Sequence, residues 1–234
     1  MKIVISPAKS LNFEKQLPTL NYTEPQFLKQ ATTIQNTLKK KKPNQLSELM
    51  DISEKLAELN WQRNQEWKLP FTLENARQAI YAFDGDVYRG LEISEWADNQ
   101  EERIQSDLRI LSGLYGVLKP FDLIRQYRLE MGTRLKIRRA NNLYQFWRKH
   151  IAASLNAEME EGERLINLAS SEYFKSIDLN VLDRPVTHVE FKDRSQTGFK
   201  VMSFYAKKAR GMMARYILEN NITDLNGVCS FDSD

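Results

Sequence analysis

Apolar residues along this 234-residue chain recur either at helical spacing or in short unbroken runs, and the alternation of the two predicts interleaved helices and strands. The run Lys2–Ile5, cut off by Ser6-Pro7, reads as a buried strand. Thr23 and Gln26 resemble a capping box with Pro25 in the first turn. Phe27, Leu28, Ala31, Ile34 and Leu38 then keep helical spacing up to the lysines 39–42 and Pro43. Asn44–Met50 and Ser53–Trp67 read as two more helices. Leu73–Ile80 starts with a helical look and passes into a strand over Ala79–Phe83, followed by the turn Asp84-Gly85-Asp86. A strand is expected within Arg128–Arg138. Leu143, Phe146, Trp147, Ile151 and Leu155 mark an amphipathic helix. Arg164–Ala169 reads as a buried strand, and Ser170-Ser171-Glu172 opens a short helix over Tyr173–Ile177. Pro185–Lys192 and Gly198–Ser203 form a hairpin pattern around the polar loop Asp193–Thr197, and Tyr205–Asn220 is the last helix. The uneven spacing of strands and helices predicts an α/β (mixed α+β) fold, one compact domain over residues 1–234 with a mixed sheet surrounded by helices.

The stretch Leu108–Gly132 organises this reading. Ile104, Leu108 and Leu111 fall on one face of a helix within about Asp98–Leu111, and Gly113 and Gly116 follow as points where the backbone turns freely. Pro120 fits the first turn of a second helix, with Asp122 near its positive end. A tight glycine turn between two helices leaves N–H groups free for a phosphate oxygen. The plainer alternative is an ordinary helix–helix connection.

Charge sharpens the picture. The net charge is only +3, but residues 119–149 hold nine basic side chains against Asp122 and Glu130, a local balance of +7. Residues 199–219 add Lys200, Lys207, Lys208, Arg210 and Arg215 against Glu219. Segregation of this kind concerns partners rather than fold, and a basic face favours a polyanion. Gly211 sits among the last cations, where a mid-helix glycine costs about 1 kcal/mol relative to alanine. Close approach of another backbone, a phosphate chain or simple packing would each account for it. No apolar run approaches the roughly 20 residues of a membrane span. The single cysteine, Cys229, and the early proline at position 7 fit a cytoplasmic chain without a secretory signal.

Candidate chemistry is sparse. His150 and His188 lack another His or Cys at ligand spacing, so no metal and no cofactor is expected. Asp84 and Asp86 offer oxygen ligands, but a D-G-D turn is usually only a turn. Ser6, Lys9, Asp84, Asp86, Tyr88, Ser170 and Lys175 all follow expected strands. If those strand ends converge, they form a polar pocket for a phosphate- or nucleotide-containing small molecule. Serine with lysine can pair as nucleophile and base, yet Ser6-Pro7-Ala8-Lys9 lacks the glycines of a phosphate loop, and no catalytic motif is recognisable.

Six stretches in order, ISPAK from Ile5, AFDGDVY from Ala82, LRILSGLYGVLKPFDLI from Leu108, YRLEMGTRL from Tyr127, NLASSEYFK from Asn167 and SFYAKKARGMMARY from Ser203, resemble the YaaA family of peroxide stress resistance proteins. The resemblance implies a helix-hairpin-helix element, a basic cleft, DNA binding in the cytosol under oxidative stress by hydrogen peroxide, and an association with low free iron. Members continue past the point matching Phe231, so a C-terminal tail is expected to be missing. The glycines at 113 and 116 are three apart, where the usual helix-hairpin-helix turn has them two apart. On this reading the partner is double-stranded or branched DNA, held without sequence readout by a monomer. Gly113 and Gly116 would hold one phosphate, Lys119, Arg125, Arg128 and Arg134 would stand beside it, and Lys207, Lys208, Arg210 and Arg215 would form a second wall.

Overall fold

Lys2–Ile5 forms β1, and all four of its residues are buried at the centre of the fold. The computed structural model describes residues 1–93, 96, 100–195, 198–200 and 203–232. After β1 come β2 (Ser10–Leu11), α1 (Leu28–Leu38), α2 (Pro43–Met50), α3 (Glu54–Glu66), β3 (Arg77–Gln78), α4 (Ala79–Ala82), β4 (Phe83–Asp84) and α5 (Asp86–Leu91). Next are α6 (Glu101–Asp107), β5 (Leu108–Ser112), β6 (Gly116–Leu118), β7 (Leu123–Ile124), α7 (Leu143–Glu158) and β8 (Leu165–Asn167). The chain closes with α8 (Ser171–Phe174), β9 (Val186–His188), β10 (Asp193–Ser195), β11 (Gly198–Lys200), α9 (Ser203–Glu219) and α10 (Leu225–Cys229).

The main sheet has the order β6-β5-β1-β8-β9. β1 runs parallel to both β5 and β8, with Ile3 opposite Leu108 on one side and Ile166 on the other. β9 extends the parallel set beside β8, and only β6 is antiparallel. β1, β5 and β8 are buried throughout, which is why they read as unbroken apolar runs rather than alternating ones. One hydrophobic core joins this sheet to α1, α7 and α9. The mixed α/β class expected from the pattern is the one observed.

The organising stretch is where the structure departs from expectation. Leu108–Ser112 is a central strand, not a helix, so the helical spacing of Ile104, Leu108 and Leu111 spans an α6–β5 boundary. Ile110 breaks that spacing, and the run L-R-I-L buries both faces, as a parallel strand requires. Gly113 and Gly116 therefore bound a β-hairpin turn rather than a helix-hairpin-helix. Gly116 has φ +75°, and a Cβ there would lie 2.7 Å from the Trp147 ring. The indole N–H of Trp147 donates to the Gly113 carbonyl at 2.9 Å. The turn is sealed under α7, and residues 113–116 are all buried.

Other corrections follow from tertiary partners. Pro120 opens a turn and not a helix; the chain passes straight into β7, paired with β3. Thr23 does not cap α1, because its hydroxyl donates to Asp122 at 2.6 Å. Ala79–Ala82 is one helical turn where a strand was expected. Residues 129–137 alternate buried and exposed, as a strand would, yet their one ladder contact is the isolated bridge Ile137–Ala140. The hairpin near the C-terminal third is β10–β11, while Val186–His188 joins the main sheet. On α9, Ala206, Met213, Ala214, Ile217 and Leu218 are buried and Tyr205 is exposed. Gly211 serves close backbone approach. A Cβ on it would lie 1.9 Å from the Val87 carbonyl of α5, and one on Gly90 would lie 2.2 Å from the Lys208 carbonyl.

Candidate functional site

The strand order of the main sheet reverses beside β1, whose successor in the sheet, β5, lies on one side and β8 on the other. Crevices outside the carboxyl ends of strands at such a point are where open α/β sheets take ligands. Ser6 follows β1 directly and Ser170 follows β8 by three residues. The two hold each other: Ser6 Oγ accepts from the Ser170 amide at 2.9 Å and donates to Ser170 Oγ at 3.2 Å. The Tyr88 hydroxyl donates to the Ser6 carbonyl at 3.2 Å, tying α5 to the same point. Ala8 lies against Gly85, where an added Cβ would come within 3.0 Å of its own.

A cavity of about 280 Å³ opens there. Ser6, Lys9, Asp84, Asp86, Tyr88 and Ser170 line it, together with Lys207 and Arg210 from α9. The expected convergence of strand ends thus brings six of the seven pocket residues together. Lys175 is exposed past α8 and is not among them. A wider groove of about 760 Å³ adjoins it, and the two share Lys9, Glu130 and Glu172. Lys41, Arg128 and Arg134 line the groove, as do Glu48 and Asp51.

Several of the acids have partners of their own. Glu130 takes Lys9 at 2.9 Å and Arg128 at 3.5 Å. Arg89 stands 3.9 Å from Asp84 and 3.5 Å from Asp86. Glu172 accepts from the Gly132 amide at 2.9 Å. By contrast Lys41, Arg134, Lys207 and Arg210 make no side-chain hydrogen bond or ion pair among the described residues, and Arg210 Nε is buried without a partner. Burial pulls the Arg210 guanidinium below its usual pKa, but an arginine starts so high that it keeps its charge. Burial also raises the Tyr88 and Tyr173 phenols well above their ordinary range. The neighbouring Tyr127 adds to both, as does Tyr173 for Tyr88. Both phenols are therefore neutral O–H donors at physiological pH.

The remaining expected DNA contacts do not gather here. Gly113 and Gly116 are interior. Lys119 lines a separate cavity with Thr23, Asp122 and Glu158. Arg125 is half-buried, with its amide on the Tyr115 hydroxyl and its Nη1 buried. Lys208 is exposed outside the cavity, and Arg215 pairs with Glu92 and Glu219. Among the described residues no group of three His, Cys, Asp or Glu is placed to hold a metal ion. Sequence reasoning missed Glu130, Tyr173 and Lys41 as lining residues. The only signal for Glu130 was its place as one of two acids in a basic segment.

The model of the peroxide stress protein YaaA family matches residues 1–234. The chain belongs to that family. It is 56% identical over 230 residues to a UPF0246 protein of Flavobacterium johnsoniae, an alignment covering 97% of this chain and 91% of the relative. Similar proteins in Flavobacterium psychrophilum (52% identity, 99% and 92% covered) and Aliivibrio fischeri MJ11 (48%, 100% and 91%) also carry the UPF0246 label. No helix among the described residues is long and apolar enough to cross a membrane.

Proposed function

We propose that this protein serves in the peroxide stress response by binding DNA, double-stranded or branched, across the groove and cavity, without reading sequence. The observation that supports this is the set of four cations without side-chain partners, Lys41, Arg134, Lys207 and Arg210, facing two adjoining cavities. Unpartnered cations on one surface lose least on meeting phosphate, and such contacts position a duplex without specifying bases. The glycine turn plays no part, since its amides are buried under Trp147. The family's association with low free iron is placed downstream of that binding. Fluorescence anisotropy of a labelled duplex across a salt series tests the reading. Four neutralised phosphates give a slope of log affinity against log salt between about −3 and −4. A slope near zero, or no change in the double variant Arg134→Glu with Lys207→Glu, overturns it.

A second reading has its own support in the cavity at the reversal of strand order, which favours a phosphate-bearing small molecule. Lys9 is turned to Glu130 and Ser6 is engaged with Ser170, so the cavity favours binding over a Ser–Lys nucleophile pair.

A further inference from the structure

We propose that the cavity outside β1 and β8 is a binding site for a single nucleotide unit, a phosphate joined through a sugar to a base, taken either free or from an unpaired position of a DNA strand. The proposal rests on the small-molecule reading of the cavity and not on the groove. Its volume, about 280 Å³, sits near the roughly 300 Å³ where small-ligand sites begin, far too small for a duplex.

The lining chemistry selects the ligand. Lys207 and Arg210 enter from α9 without side-chain partners and match phosphate oxygens, the arginine by its planar fork. Asp84 and Asp86 enter from the β4–α5 segment. Arg89 approaches only their Oδ1 atoms, and an ionised carboxylate only accepts hydrogen bonds, so a ligand reaching the remaining oxygens must bring N–H or O–H donors as well as negative charge. Simple carboxylates lack that combination, hydrogen phosphate carries its O–H groups on the same phosphorus as its charge and has no second donor-bearing part, and a polyamine would meet the two cations. A nucleotide has both, with amino and imino groups on its base and hydroxyls on its sugar. Pro7, Ala8, Val87 and the Tyr173 ring give the base an apolar wall. Ser170 Oγ accepts from Ser6, which leaves its own proton to donate inward. Lys9, Glu130 and Glu172 border both cavities, so a strand lying in the groove can present one unstacked nucleotide to the inner site.

Isothermal titration of the full chain with each of the four deoxynucleoside 5′-monophosphates, beside inorganic phosphate, tests this directly. A parallel arm compares a matched duplex with one carrying a single-nucleotide bulge. Saturable binding of a monophosphate, tighter than phosphate and weakened at least about tenfold by Lys207→Glu, supports the site and assigns it to free nucleotides. Tighter binding of the bulge than of the duplex, lost in the same variant, supports it and assigns it to strands. Asp86→Asn is a second probe that keeps the side-chain size; it shifts the order of preference among the four bases. Monophosphates that bind no better than phosphate, with a bulge no better than the matched duplex, overturn the proposal. Duplex binding with a normal salt slope would still stand in that case, so the two readings fail separately.

Discussion

Replacing Gly211 by alanine should destabilise the protein, although at an ordinary mid-helix position the same change stabilises by about 1 kcal/mol. The new Cβ would lie 1.9 Å from the Val87 carbonyl oxygen, 2.8 Å from the Leu91 nitrogen and 2.9 Å from the Val87 carbonyl carbon. All three are backbone atoms of α5, and none can swing aside as a side-chain tip would. Relief requires α5 and α9 to move apart, which opens voids beside Val87, Leu91, Met213 and Ala214, all buried now. Overpacking of this kind costs about 1–3 kcal/mol, and here it also has to outweigh the helical gain. With backbone overlap this close the cost falls in the upper part of that range, so the net expectation is a loss of about 1–2 kcal/mol, or roughly 2–8 °C in Tm for a domain of this size. Urea denaturation reads it as a lower midpoint at unchanged slope. The consequence reaches the cavity, because α9 carries Lys207 and Arg210. Displacing the helix should weaken nucleotide binding even though neither cation is altered. A Gly211→Ala protein as stable as the parent, with unchanged binding, would refute the close crossing and its role in placing those side chains.

Gly116→Ala should cost about 2–4 kcal/mol, from left-handed backbone at φ +75° and contact with the Trp147 ring; an unchanged urea midpoint would contradict the sealed hairpin. Asp122 gives a pH signature. Burial raises its carboxyl to about 6, against the opposing bonds from Thr23 and the Lys119 amide and the charges of Lys119 and Arg109. The folded state therefore takes up this proton at higher pH than the unfolded chain. Stability from this group rises as pH falls through 6 and levels off below the unfolded value of 3.8, by about 3 kcal/mol in all. The difference in unfolding free energy between parent and Asp122→Asn should follow that curve between pH 4 and 7, and a flat difference would sink it.

The parallel core was legible because its strands are buried on both faces. Lys2–Ile5 and Arg164–Ala169 announced themselves as apolar runs, and α7 by a repeat that Trp147 and Ile151 keep faithfully. What failed was local pattern overruled by distant partners. Ile104, Leu108 and Leu111 keep helical spacing, yet Leu108 and Ile110 pair with Ile3 and Ile5 more than a hundred residues away. Thr23 looks like a cap in isolation, but its hydroxyl is taken by Asp122. Residues 129–137 alternate as a strand does, yet their one bridge is Ile137 to Ala140. The pocket residues were legible for a sturdier reason. Ser6 and Ser170 follow β1 and β8, whose ends share one side of the parallel sheet whatever the intervening helices do, while Asp84, Asp86 and Tyr88 reach the same place from the β4–α5 segment outside that sheet.

That contrast decides how glycines are to be weighed in this fold. Two features looked alike in the sequence, a glycine pair among apolar residues and a glycine among cations, and both suggested phosphate. Gly113 and Gly116 are instead fixed by Trp147, whose ring packs where a Cβ on Gly116 would sit and whose N–H donates to the buried Gly113 carbonyl. Gly211 meets the α5 backbone, and through that contact it holds Arg210 beside the ends of β1 and β8. In both places the space beside the glycine is filled by the protein's own atoms. At the inner cavity the sheet ends gather hydroxyls and carboxylates beside the cations, so on the proposed reading selectivity there is set by Ser170, Asp84 and Asp86 as much as by Lys207 and Arg210. A ligand satisfying all five must carry charge and hydrogen-bond donors on one small frame, a requirement that a plain phosphate backbone does not meet.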